Sequence, residues 1–127
     1  MYVYNNPNPK NKNTGDCVVR AISILFDIPW EEAFIELAVM GLMLSDMPNE
    51  NSVWGAYLME KGYEREVIPN TCPDCYTIWD FALDHPEGKY AVCTGSHVVA
   101  VIDGCVIDAW NSSEQIPTYY FKEREKL

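Results

Sequence analysis

Asp103-Gly104 is the pair of residues that most restricts what this chain can fold into. Asp-Gly between apolar runs is among the strongest hairpin signals. The runs on either side are His97 to Ile102 and Cys105 to Trp110. A two-residue turn pairs Ile102 with Cys105. Counting back along the ladder, Val99 then faces Asp108 and His97 faces Trp110. Strand side chains alternate between faces, so His97, Asp108 and Trp110 share one face with Val99, Val101 and Val106. The other face carries Val98, Ala100, Ile102 and Ile107. A sheet apolar on both faces has to be covered on both.

The rest of the chain supplies candidate covers. Lys89 to Thr94 and Thr118 to Phe121 read as further strands, and Glu64 to Ile68 as an earlier one. Before them the periodicity is helical. Trp30, Ala33, Phe34, Leu37 and Ala38 follow i, i+3, i+4, i+7, i+8, with Pro29 at the start and Glu31 and Glu32 in the first turn. Ser52 can cap a third helix with Val53, Trp54, Tyr57 and Leu58 on its inner face and Gly62 just past its end. Thr77 and Asp80 have capping-box spacing ahead of a short fourth helix, Ile78 to Asp84. His85 follows that helix and reads as a partner for its C-terminal dipole. Helices in the first half and an antiparallel sheet in the second predict one α+β domain over residues 1–127. Residues 1–15 read as an N-terminal arm and loop, and 122–127 as a solvated tail.

The first helix, roughly 17–27, carries the chemistry. Asp16 has the character of an N-cap, its carboxylate placed to accept from the Val19 N–H. Cys17 opens the helix, where unpaired N–H groups and the macrodipole favour a thiolate. Only Arg20, Ser23 and Asp27 interrupt the apolar run, as one narrow polar stripe below Cys17. Such a helix belongs in the middle of the domain, with its thiol held at a cleft. His97 and Asp108 are diagonal neighbours on the hairpin, at Cα separations of about 7–8 Å, within reach of a side-chain hydrogen bond. A thiol, an imidazole base and a carboxylate that fixes the imidazole tautomer make a nucleophilic site. Trp110 would shield the His97–Asp108 bond from water.

The order Cys…His…Asp, with the cysteine opening a helix and the other two on antiparallel strands, resembles the papain-like cysteine peptidases. Asn11, six residues before Cys17, stands where many members carry an oxyanion-hole glutamine, as in the peptidases that trim bacteriocin leader peptides; Asn13 is the second candidate. Thr77 to Asp80, His85 to Tyr90, Ser96 to Val99 and Asp108 to Trp110 also resemble small proteins of phages and prophages of low-GC Gram-positive bacteria. The resemblance implies a cysteine helix packed on the sheet, and cleavage or modification of a peptide, isopeptide or amide bond through a thioester. It implies no cofactor and no metal. The rival reading is a catalytically silent phage-type binding module that uses the same cleft.

Composition narrows the partners. A formal net charge of −10 disfavours nucleic acid and anionic membranes and suits a neutral or basic peptide or protein substrate. No segment reads as a signal peptide or a membrane span. The five cysteines therefore read as reduced thiols in a bacterial host's cytoplasm. Cys72 and Cys75 form a lone CxxC, expected to be incidental thiols in a loop rather than zinc ligands.

Overall fold

The computed structural model describes residues 1–125. Asp103 and Gly104 take φ of 49° and 76° and close the expected two-residue turn. They join β4 (Val98–Ile102) to β5 (Cys105–Asp108), with Ile102 opposite Cys105, Val101 opposite Val106 and Ala100 opposite Ile107. On the far side of β4 lies β3 (Lys89–Cys93), then β6 (Tyr119–Glu123), then β2 (Tyr63–Val67), all antiparallel.

The sheet departs from the expected antiparallel one at its other edge. Tyr2–Tyr4 is not part of a free arm but a strand, β1, paired in parallel with β5. The six-stranded sheet is therefore mixed, in the order β1-β5-β4-β3-β6-β2. Three residues are too few to display an alternation, and the pairing is made by backbone. The Val106 N–H donates to Met1 O at 2.8 Å and the Asn5 N–H to Asp108 O at 2.9 Å. The Tyr2 hydroxyl adds a bond to the same Asp108 carbonyl at 3.1 Å. These contacts fix the end of β5, where Asp108 sits.

Both faces are covered, as the hairpin required. On one face α1 (Cys17–Phe26), α2 (Trp30–Leu44) and α3 (Asn51–Glu60) bury Val18, Ile22, Leu25, Leu37 and Leu58 against Ala91, Cys93, Val98, Ala100 and Phe121. On the other, α4 (Ile78–Asp84) seats Ile78, Phe81 and Ala82 on Val92, Val99, Val101 and Val106. At about 25 cal/mol per Å² of apolar surface removed from water, each large side chain so placed contributes about 1.5–3 kcal/mol. The α4 capping box forms between Thr77 and Asp80 in both directions. His85 behaves as read: its Nδ1 lies 2.7 Å from the Phe81 carbonyl and its ring stacks on Phe81.

Three expectations change. Helix α3 begins at Asn51 with Glu50 before it, and Ser52 donates to Asp46 instead of capping. Helix α2 buries only Ala33, Leu37 and Gly41, so Phe34 of the predicted inner face is half exposed. Its sequence is apolar nearly all round, and periodicity cannot choose the inner side of such a helix. The tail begins later than 122, because Lys122 and Glu123 belong to β6 and Lys122 pairs with Glu64 and Glu66 on β2. Residues 126 and 127 of that tail lie outside the described residues. Among the described residues no helix is long and apolar enough to cross a membrane.

Candidate active site

Cys17 is the first residue of α1, as the sequence implied. The first helical hydrogen bond runs from the Arg20 N–H to Asp16 O at 2.9 Å, so the Cys17 N–H precedes the ladder and points out of the helix end. Asp16 does not cap with its side chain. Its carboxylate is occupied elsewhere: Oδ1 pairs with Arg20, and Oδ2 accepts from Trp30 Nε1 at 2.9 Å and from Asn8 Nδ2 at 3.3 Å. Charged and indole donors held in place by the fold outcompete a backbone N–H for the same oxygens.

The hairpin brings His97 and Asp108 together. The ladder predicts them on one face, and His97 Nε2 donates to Asp108 Oδ2 at 2.7 Å. By alternation both continue the Val99, Val101, Val106 row beneath α4, whereas Cys17 arrives with α1 on the opposite face. They meet because His97 lies just before β4 and Asp108 closes β5, so the side chains gather at the end of the sheet. There Cys17 and His97 line one cleft, and each shifts the titration of the other. With Nε2 committed to Asp108, Nδ1 is the nitrogen left for sulfur. The Trp110 ring is tilted against His97 at a centroid distance of 4.9 Å.

Asp108 is nearly fully buried and saturated. Besides His97 it accepts from Ser112 Oγ at 2.8 Å, from the Ala109 N–H at 2.8 Å and from Arg20 Nη2 at 3.4 Å. Arg20 thus lies buried between two carboxylates, Asp16 and Asp108. Sequence reasoning placed Arg20 on a polar stripe and missed this bridge. The available signal was a lone arginine in an apolar helix, four residues after an aspartate, the spacing of a helical ion pair. Ser112 carried no signal, since only the turn after β5 returns it to Asp108.

The electrostatics favour a charge-separated pair. Burial alone would raise the Cys17 pKa, but the hydrogen bonds with His97 and the Val98 backbone and the charges of His97 and Arg20 outweigh it, and the pKa falls below 9.0. Burial alone would lower the His97 pKa, but the bonds to Asp108 and Cys17 raise it from 6.5 to about 9. Asp108 is lowered despite burial, by His97 and then Ser112. Each charged form, thiolate, imidazolium and carboxylate, thus favours the charged form of its neighbour.

Cys17 and His97 open into a cleft of about 240 Å³. Cys17 and His97 face Asn49, Asn51 and Trp54 across it, with Gly95 and Ser96 at one side. Asn11 and Asn13 are not among its walls. Asn11 is exposed, with φ of 51°, and its Oδ1 accepts from Asn6 and Tyr4. The chain before Cys17 is thus folded back toward β1, and the asparagines that line the cleft with the thiol are Asn49, in the loop before α3, and Asn51, its first residue. Cys72 and Cys75 are bonded to each other, so they are not the reduced thiols expected; two cysteines three residues apart in one exposed loop meet readily. Cys93 is buried in the core, which pushes its thiol far up.

No protein-family model, curated protein or solved structure matches this chain. Its function has to be argued from the site.

Proposed function

We propose that the protein is a papain-like cysteine peptidase or a related thiol acyl transferase, encoded by a phage or prophage and acting in the host cytoplasm. The observation that carries this reading is the set Cys17, His97 and Asp108, with His97 Nε2 2.7 Å from Asp108 and with Cys17 and His97 lining one cleft.

The Cys17 thiolate attacks the carbonyl carbon of a peptide, isopeptide or amide bond. The carbonyl π electrons move to oxygen, where the Cys17 N–H donates to the oxyanion. The Asn49 and Asn51 amides on the facing wall are better placed to assist than Asn11 or Asn13. As the C–N bond breaks, the His97 imidazolium gives its proton to the leaving nitrogen, and a thioester remains. Neutral His97 then takes a proton from water or an amine, which attacks the thioester. Cys17 leaves as thiolate beside the re-formed imidazolium. Asp108 holds the ring so that Nδ1 faces sulfur throughout.

The test is the pH profile of Cys17 alkylation by iodoacetamide, read by mass spectrometry. An activated thiol reacts fast near pH 6, and Cys17→Ser removes labelling at that position. A silent binding module would instead have an ordinary thiol, reacting only as the pH approaches 9, and that profile would reject the enzyme reading.

A further inference from the structure

Beside the cleft lies a second depression of about 400 Å³. Val18, Val19, Trp30, Phe34, Met47 and Pro48 form its apolar walls. It shares Gly15, Val18 and Asn49 with the cleft that holds Cys17, so the two are one continuous surface with the thiol at one end.

The groove is built rather than incidental. Trp30 is fixed at both ends, its indole N–H bonded to Asp16 and its ring stacked on Phe34 at 5.3 Å. The opposite wall is set by Gly41 of α2. A Cβ there would stand 2.7 Å from Asp46 O and 3.3 Å from Pro48 N, so glycine is what lets the loop carrying Met47 and Pro48 close against the helix. Phe34 and Met47 nevertheless remain 47% and 63% exposed. The one carboxylate in the lining, Asp16, is already taken by Arg20, Trp30 and Asn8. Nothing in the groove is left to pair with a cationic side chain, although the chain as a whole carries a net charge of −10.

We propose that this groove is the specificity subsite of the site at Cys17 and takes a large apolar side chain, aromatic or branched aliphatic, of the peptide whose carbonyl is attacked. The proposal rests on the thiol-enzyme reading above and adds the substrate class: peptides with a bulky apolar residue near the scissile bond, rather than basic ones. Removing Phe34 and Met47 from water along with the ligand side chain supplies the binding energy.

The test uses peptide probes carrying an internal Michael acceptor in place of one peptide bond. Glycine occupies two positions on each side, and Phe, Leu, Lys or Asp is introduced at one position at a time. The rate of Cys17 modification is divided by each protein's own iodoacetamide rate, so that general changes in the thiol cancel. At one position the Phe or Leu probe should react at least about tenfold faster than the Lys, Asp and all-glycine probes, the discrimination expected of an apolar pocket. Phe34→Asp, or Met47→Asp if the first folds poorly, should reduce that preference to below about threefold. Fast iodoacetamide labelling near pH 6 with no apolar preference, or with a preference for Lys, would overturn the subsite and leave the thiolate reading standing. Slow iodoacetamide labelling would overturn both. Light scattering supplies the remaining arm: a dimer that Phe34→Asp splits would assign the groove to a second copy and overturn the proposal.

Discussion

Asp108→Asn isolates the electrostatic part of the site. The substitution keeps shape and removes a charge. Asp108 has donors on both oxygens, His97 and Ser112 on Oδ2, and the Ala109 N–H and Arg20 on Oδ1. An asparagine has one acceptor oxygen, and two donors on Oδ1 would hold it on that side. Its NH₂ then faces His97 and Ser112. The serine hydroxyl can rotate to accept, but the imidazole can accept at Nε2 only by carrying its proton on Nδ1, the nitrogen that faces sulfur. A neutral ring in that tautomer cannot take the thiol proton. The size of the effect follows from His97: its rise from 6.5 to about 9 corresponds to roughly 3 kcal/mol in favour of the imidazolium, and Asp108 is the largest contributor opposing burial. Losing most of this should slow Cys17 alkylation near pH 6 by at least about tenfold and move its midpoint upward by about a unit or more, each unit being a factor of ten in thiolate. The loss should stay below the roughly 10⁴-fold seen for the same change in serine hydrolases, because the helix N-terminus still favours thiolate. Arg20 keeps Asp16 as a partner, so the stability loss should be only about 1–2 kcal/mol by urea denaturation. An unmoved alkylation profile would show that the three side chains do not act as one site.

Cys17→Ala should expose a pH dependence of stability that the native protein masks. A raised His97 pKa contributes stability that is full below 6.5 and lost as pH rises through about 9. In the native protein the lowered Cys17 pKa works the other way, because the folded thiol gives up the proton that the imidazole gains. In the variant His97 keeps the lift from Asp108 and loses that from Cys17, so its stability should fall more steeply than the native chain's as the pH rises above 6.5 in urea titrations, and equal slopes would refute the pairing. Arg20→Met should leave the buried Asp16 and Asp108 carboxylates without their cation and destabilise by about 3–5 kcal/mol; a loss under about 1 kcal/mol would mean that the bridge is not formed. Alkylation of the unfolded, unreduced protein should label Cys17, Cys93 and Cys105 only, and mass spectra with all five cysteines labelled would refute the Cys72–Cys75 bond.

The parts of this fold that were legible are those with a local code. Asp103-Gly104 carried the hairpin and its register, and with it the meeting of His97 and Asp108. Thr77 and Asp80 carried the start of α4. What was not legible depends on contacts distant in sequence. Tyr2–Tyr4 becomes a strand only because β5 offers it an edge. Phe34 lies outward because α1 and α3 claim the other side of α2. The oxyanion candidates Asn11 and Asn13 lie outside the cleft walls for a related reason. Spacing before Cys17 says how far Asn11 can reach, but β1 decides where the loop runs, and it turns Asn11 toward Tyr4 and Asn6.

Arg20 joins these two kinds of information. Its distance from Asp16 is local, whereas its second partner, Asp108, is 88 residues away. A buried arginine between two carboxylates is poor evidence for stability, since an apolar replacement of the whole set is often neutral or better. Its position suggests another use. On the proposed mechanism Asp108 must stay ionised whether His97 is protonated, before attack, or neutral, in the thioester. With His97 as its only cationic partner, Asp108 would become an uncompensated buried charge midway through the reaction, and its pKa would climb. Arg20 supplies a permanent positive charge from behind, while Ser112 and the Ala109 N–H hold the carboxylate oxygens in place. The same guanidinium ties Asp108 through Asp16 to Trp30, so the wall of the apolar groove and the orienting carboxylate of the site share one buried anchor.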